Sequence, residues 1–515
     1  MSGGGWKLPL SLSVLFVAAS FAWQGRAGFS LADEGFLWYG AQRVMQGEVP
    51  IRDFMSYDPA RYYWSAALMS ALRDDGILSL RTVVALFQAL GLWVGVALVS
   101  RSVLRKGRLH WLYLSLCAAT LLVWMFPRHK LFDASISVLL TGALAFLVAD
   151  PTPRRQVLAG TAVGLAAVFG RNHGLYGAVA SLGIMVWLGV RSSERLAFAK
   201  SVLRWSIGVV LGYLPVLLML LLVPGFSGAF RAGLHFLASR GSTNLALPIP
   251  WPWGVHLQGI APGEAVRAVS VGALFVGLIA FGVSTLAWVT YRRFRGKDAP
   301  PVLVATAFLS LPYAHYAYSR ADVGHLALGI FPMVIGGLCL ASGWTPPVRW
   351  ALAAGMCALS LFVMLVQHPG WQCRGRGACV DVAFGDTTLR VDRGTAGSIA
   401  LLRQLSARYA PAPQTFLAVP FWPGAYALLE RRSPTWAIYP LWKRGAAFEQ
   451  REIEALRRAR PGFVIVNDAA LDGREERRFR TTHPLVYRYI QEAFVRSPRL
   501  RDASLQLYLP RGVPE

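Results

Sequence analysis

TVVALFQALGLWVGVALVSRSV, residues 82–103, carries a single charge, Arg101, and that near its end. A helix that crosses a bilayer needs about 20 mainly apolar residues, so this stretch reads as a membrane span. Working outward, ten further segments read the same way: 7–23, 109–126, 131–149, 157–170, 174–190, 202–223, 266–290, 301–319, 325–343 and 348–366, of which 157–170 is the shortest. The expected fold is a mainly α polytopic helical bundle of about eleven spans. Composition agrees. The chain is 55% hydrophobic and only 15% charged, with 50 Gly and 18 Trp in 515 residues. Soluble proteins carry about 25% charged residues, and Gly and interfacial Trp are enriched in membrane proteins. This excludes a soluble or disordered chain. Five Cys in so long a chain exclude a disulfide-dense scaffold.

The net charge is +25, from 52 Lys and Arg against 27 Asp and Glu. Its distribution argues against nucleic acid. Fifteen basic residues, from Arg101 to Arg349, fall in alternate short loops. The opposite short loops hold four: Arg128, Lys130, Arg171 and Arg320. The positive-inside rule places the richer set in the cytoplasm. The N-terminus is then cytoplasmic, and with eleven spans the tail after Gln367 is extracytoplasmic. The first segment reads as a retained helix. Lys7 and small residues near Ala18 fit a signal peptide, but the stretch is long for an h-region and lacks an A-x-A site. Cys117, Cys339 and Cys357 lie in apolar segments and read as small core residues. Cys373 and Cys379 follow the last span on the oxidising side, where a disulfide or a pair of free thiols are both open readings.

The organisation that follows is a membrane domain over 1–367 and an extracytoplasmic α/β domain over 368–515. Two long outer segments interrupt the spans. In the first, about 24–81, Asp33 is positioned to cap a helix reading EGFLWYGAQRVMQ that stops at Gly47. ARYYWSAALMSAL, residues 60–72, is too short to span and suits the interface. The second, 224–267, contains the Pro- and Trp-rich GSTNLALPIPWPWG. In the tail, strands are expected at 415–420, 463–467 and 505–509, and helices at 396–409, 449–460 and 483–495.

The unusual polar residues gather on the outer face. Asp33 and Glu34 stand just beyond the first span, followed by Asp53 and Asp58. Outer turns supply Arg128, His129, Lys130 and Asp133; Arg171, Asn172 and His173; and His315, Tyr318, Arg320, Asp322 and His325. Cations in outward turns run against the positive-inside bias and call for a reason. Arg and Lys can hold a phosphate while a carboxylate serves as base. Plainer readings stand beside this one. Asp33 and Glu34 suit a helix start, Asp53 and Asp58 suit turns, and His129 and His173 suit the interface. Arg128 and Lys130 suit lipid headgroups. His315 and His325 lack tight metal-ligand spacing. Nothing requires a cofactor, although a divalent metal is compatible. No GxGxxG, P-loop or GxSxG context appears.

SLADEGFLWYGAQRVMQGEVPIRDFMSYDPARYYWSAAL, residues 30–68, resembles the first outer loop of GT-C polytopic membrane glycosyltransferases. The match is to the bacterial group with the rhizobial lipopolysaccharide sugar transferases, and more distantly to protein O-mannosyltransferases and the lipid A aminoarabinose transferase. The residues that carry it are Asp33-Glu34, Tyr39-Gly40-Ala41, Gly47, Pro50, Asp53-Phe54, Pro59 and Tyr62-Tyr63. The stretches AVPFWPGAYALLERRSP and RADVGHLALGIFP resemble further parts of the group. The resemblance implies a bacterial cytoplasmic-membrane enzyme of envelope synthesis. Its partners would be the bilayer, a polyprenyl-phosphate sugar donor, and a glycan, lipid or protein acceptor, with no nucleic acid.

It also implies inversion at the anomeric carbon and a catalytic role for Asp33, with Glu34 beside it. Arg128, Lys130, Arg171 and Arg320 are then candidates for the donor phosphate. Asp53, Asp58, His129, His173 and His325 are candidates for acceptor contacts or support, and no second carboxylate outside the loop has a family match. The competing readings are a non-enzymatic transporter or flippase of lipid-linked sugars, a polysaccharide ligase or polymerase, and a membrane-anchored sensor. The near absence of charge inside the spans disfavours transport.

Overall fold

The computed structural model describes residues 5–103, 107–190, 195–240, 244–256, 258–375, 377–498, 500 and 504–512. Of the basic loop residues expected on the cytoplasmic side, Arg105, Lys106 and Arg191 lie outside the described residues, as do residues 241–243 of the Pro- and Trp-rich stretch. The chain forms two compact units. One comprises Met1–Gly25 and Arg81–Trp371; the other comprises Arg26–Leu80 and Gln372–Glu515. In this division Arg26–Leu80, the segment after the first helix, groups with the tail. Main-chain pairing is the cause. Gly28 N–H donates to the Arg390 carbonyl at 2.7 Å, and Arg390 N–H donates to the Arg26 carbonyl at 2.8 Å.

In the first unit, the eleven apolar segments each coincide with a helix or a bent helix pair, give or take a few residues at the ends. Among the described residues, six helices are long and apolar enough to cross a membrane: Lys7–Gln24, Ile77–Ser102, Arg128–Ala149, Leu196–Leu222, Pro262–Phe294 and Pro346–Gln367. Val323–Gly329 and Phe331–Ser342 form a seventh span if the pair, bent by 57°, is counted as one. Pro332 accounts for the break at Ile330, since its ring and missing N–H cannot continue the preceding helix. The remaining segments are shorter or end in polar residues. His110–Trp124 has 15 residues, and Arg171–Gly189 opens on Arg-Asn-His.

Burial ranks these helices. The apolar window of Arg128–Ala149 is 78% buried, whereas that of Leu196–Leu222 is 22% buried. The first is therefore the inner helix of its unit, and Pro153–Phe169, Arg171–Gly189 and Pro301–Ser319 pack against it. The second presents Leu203, Ile207, Val210, Leu211, Leu214, Leu218, Leu221 and Leu222 outward. A continuous apolar face of this size in water would be a liability, and in lipid it is solvated. Between helices, hydrocarbon supplies no hydrophobic drive, so close backbone approach does the packing. Pro153–Phe169 and Arg195–Leu222 meet through two glycine pairs four residues apart. A Cβ on Gly160, Gly164, Gly208 or Gly212 would fall 2.0–2.3 Å from a carbonyl oxygen of the facing helix. The helix Phe226–Arg240 lies within what reads in the sequence as an irregular outer segment.

The second unit holds two sheets. Strands β1 (Cys379–Phe384) and β2 (Thr387–Asp392) form an antiparallel hairpin that turns at Gly385, φ +57°. Strands β3 (Leu417–Val419), β4 (Val464–Asn467), β5 (Phe494–Ser497) and β6 (Leu505–Pro510) form a mixed sheet in the order β3-β4-β6-β5. Only β3 and β4 are parallel. Leu417, Val419, Val464, Val466, Ile453, Leu456, Val486 and Ile490 build its core, where strands and helices alternate as the residue pattern predicts. Glu449, buried on Ala446–Ala459, accepts the N–H groups of Leu485 and Val486 at 2.8 and 3.1 Å and so caps the helix Pro484–Ala493. Cys373 and Cys379 are joined in a disulfide.

Candidate active site

In the second unit, the acidic pair opens the helix Asp33–Met45. Asp33 does not cap this helix, as the sequence suggests. The N-cap is Ala32, and the Ser30 hydroxyl accepts the Asp33 N–H at 3.0 Å. The Asp33 carboxylate is thereby released from a capping role. It stands half-buried in the first turn, where the helix macrodipole favours negative charge. The Tyr439 hydroxyl lies 3.5 Å from its Oδ1, a long and weak hydrogen bond. Glu34, beside it, is buried.

The pair is set in place by backbone contact. A Cβ on Gly35 would fall 2.3 Å from the Gly424 Cα, and Gly424 N–H donates to the Leu31 carbonyl at 2.8 Å. Further along the helix, the Tyr39 hydroxyl accepts Ser433 N–H at 2.9 Å, and burial pushes its pKa up to about 12. The helix ends at Met45, and Gly47 at φ +88° turns the chain as expected.

Two further candidate carboxylates, Asp53 and Asp58, lie later in this loop. Asp53 is held by Arg52, Nε to Oδ1 at 2.8 Å and Nη2 to Oδ2 at 2.7 Å, and accepts Val49 N–H at 2.8 Å. The Arg52 guanidinium holds the Asp53 carboxyl below the ordinary range. Asp58 is buried beside Pro59, just before the helix Ala60–Leu72. The Arg61 guanidinium sits 4.8 Å over the Tyr57 ring.

The candidate cations belong to the first unit. Arg128 and Lys130 form a short 3-10 turn with His129, and all three are half-buried. Arg128 donates to the Gln24 carbonyl at 2.9 Å. Arg171 opens its helix and lies 5.6 Å over the Phe230 ring. Arg320 donates from Nε to Asp322 at 2.9 Å and from Nη1 to the Leu245 carbonyl at 2.9 Å. Asp322 caps the helix Val323–Gly329 by accepting His325 N–H, and its Oδ1 lies 2.9 Å from the His325 ring. Burial raises the Asp322 carboxyl, but His325 and Arg320 outweigh it and hold it below the ordinary range.

One cluster in this unit is barely legible in the sequence. His173, only 1% exposed, places Nε2 at 3.0 Å from Asp133 Oδ1 and Nδ1 at 2.8 Å from the Tyr313 hydroxyl. The Tyr316 hydroxyl donates to the same Oδ1 at 3.1 Å. The Tyr176 hydroxyl lies 2.8 Å from His315 Nδ1. His173 is therefore a core residue, not an interfacial one. Tyr176, Tyr313 and Tyr316 look like ordinary apolar-run aromatics in the sequence. His173 and Tyr313 are 140 residues apart and Tyr176 and His315 are 139 apart, so no local motif marks them. Among the described residues no three His, Cys, Asp or Glu side chains are grouped to hold a metal ion.

No family model and no curated protein matches the sequence. Among solved structures, the chain is similar to ArnT from Cupriavidus metallidurans bound to undecaprenyl phosphate. The TM-score is 0.54 at 13% identity, over 98% of each chain. The apo form of that protein gives 0.49 at 13% identity, over 99% of this chain and 98% of that one. The archaeal oligosaccharyltransferase AglB from Archaeoglobus fulgidus, with an inhibitory peptide and a dolichol-phosphate, gives 0.47 at 14% identity, over 98% and 75%. The likeness to ArnT, at 13% identity, is one of fold.

Proposed function

We propose that this protein is an integral membrane glycosyltransferase that moves a sugar from a polyprenyl-phosphate carrier to an acceptor outside the cytoplasm, with inversion. The observation that carries this reading is the state of Asp33. Its backbone N–H is held by Ser30, among the described residues its side chain makes only a long contact to Tyr439, and it stands in the first turn of its helix, where the macrodipole favours negative charge. A group so arranged can take the proton of an acceptor hydroxyl as the glycosidic bond forms. The leaving group is a phosphate anion that needs compensating charge rather than a proton. We assign that role to Lys130 and Arg171, with Arg128 and Arg320, whose guanidinium groups also hold protein carbonyls. Glu34 supports the turn that carries Asp33. The full-length likeness in fold to a protein bound to undecaprenyl phosphate supports a lipid-borne donor, since such a donor needs no nucleotide fold. The charge bias of the short loops supports an extracytoplasmic tail.

Reconstitution tests this. The purified protein in vesicles, given a polyprenyl-phosphate sugar pool and an envelope glycan extract, should release polyprenyl phosphate as glycan mass rises. Passage of the intact lipid-linked sugar across the vesicle, without its consumption, would make the protein a flippase instead.

A further inference from the structure

We infer that Asp133 is a positioning residue: through His173 and Tyr316 it ties together the three turns that carry the candidate donor-phosphate cations. Asp133 stands in the first turn of Leu131–Ala149, three residues after Lys130. His173 follows Arg171 by two residues, and Tyr316 precedes Arg320 by four. One oxygen, Asp133 Oδ1, lies 3.0 Å from His173 Nε2 and accepts the Tyr316 hydroxyl at 3.1 Å. His173 reaches on to the Tyr313 hydroxyl at 2.8 Å. Three turns from three different helices thus meet on one carboxylate. With Nε2–H donated to Asp133, Nδ1 is left to meet the Tyr313 hydroxyl, so both ring nitrogens are used.

Energetics say why this carboxylate is unusual. Asp133 is 3% exposed inside a helix bundle with a lipid-facing exterior. Apolar residues of similar volume would serve stability as well or better there. What apolar packing lacks is direction. A hydrogen-bonded carboxylate fixes distance and angle between elements, and sites that hold a charged group need placement within about 0.5 Å. Asp133 is also engaged by two donors on one oxygen, so it is not the base. It acts through the cations on its neighbouring residues.

The inference rests on the donor-phosphate reading proposed above, and binding separates the two. The full-length protein in nanodiscs is titrated with undecaprenyl phosphate and with undecaprenol, which share the chain and differ in the charged head. Wild type should prefer the phosphate by tenfold or more. Asp133→Asn keeps the volume and one oxygen but replaces the carboxylate with a neutral amide, a weaker acceptor for both donors; it should lose about tenfold of phosphate affinity with undecaprenol binding unchanged. Tyr316→Phe removes one of the two bonds and should lose about threefold, the scale of one hydrogen bond. His173→Gln, which can still donate to Asp133 and accept from Tyr313, should stay within twofold of wild type. If Asp133→Asn keeps the full phosphate preference, or loses both ligands equally, Asp133 does not position the cations. If wild type itself shows no preference, the donor-phosphate reading fails first.

Discussion

Asp33 and Asp133 both stand in the first turn of a helix, where the same dipole favours a carboxylate. Their surroundings differ in every other respect. Asp33 is half-buried, with a single tyrosine hydroxyl at 3.5 Å. Asp133 is buried, with an imidazole and a phenol on one oxygen at 3.0 and 3.1 Å. A weakly held, accessible carboxylate can change partners during a reaction. A fully engaged one holds its neighbours still. The contrast supports the proposed roles, chemistry for the loop that carries Asp33 and geometry for the helix that carries Asp133.

The sharpest way to break this contrast is at Asp33. Asp33→Asn keeps size and helix entry, since Ser30 and Ala32 make that entry, but the amide cannot accept a proton near neutral pH. Transfer measured in inverted or intact vesicles should fall about 10²–10⁴-fold with normal insertion. Glu34→Gln should be milder, because Glu34 is the more buried of the pair and is assigned to orienting the site. A reversed order would exchange the two roles.

A smaller effect tests the inner region. Gly212→Leu would force a side chain toward the Thr161 carbonyl, 2.2 Å from the Cβ position, at a cost of about 3 kcal/mol. The yield of monodisperse detergent-extracted protein should collapse. Gly228→Ala, with nothing within 4 Å of its Cβ, should be neutral.

The outer unit should respond less to loss of its disulfide. Cys373→Ser should cost about 2 kcal/mol, judged by the short loop it closes, and read as earlier proteolysis of the tail.

The smallest effect is electrostatic. The Asp53 carboxyl is held low by Arg52, so its contribution is fully present above the ordinary carboxylate pKa and is lost as pH falls through its lowered folded value. Asp53→Asn should lower the stability of the outer unit by about 1 kcal/mol at neutral pH. The difference from wild type should shrink as pH falls below the ordinary carboxylate range, in urea-dependent proteolysis.

Much of this was legible in the sequence. Apolar length located the helices, and the residues from Asp33 to Tyr63 located the outer loop. The helix reading stopped rightly at Gly47, because a glycine that must turn at positive φ is a local signal. Three features escaped. The hairpin β1–β2 has an alternating pattern around Gly385-Asp386, yet the strands expected in the tail begin only at residue 415. β5 follows the helix Pro484–Ala493 without a break, so the switch in period at Phe494 is invisible to a helical pattern. Asp133, His173 and Tyr316 lie 40 and 183 residues apart in the pairs that join them, and only the fold brings such residues together. The glycine pairs of Pro153–Phe169 and Arg195–Leu222 are different again. Their four-residue spacing stands in the sequence, yet which helix faces which does not.

The central claim is that sugar leaves a polyprenyl phosphate through the outer loop's carboxylate. Mass analysis of polyprenyl-phosphate sugars and envelope glycans tests it in cells lacking the gene, complemented either with wild type or with Asp33→Asn. The account predicts that the deletion and the Asp33→Asn strain accumulate one and the same lipid-linked sugar and lack the same glycan residue, both restored by wild type. Full restoration by Asp33→Asn, or an unchanged lipid-linked sugar pool in the deletion, would contradict it.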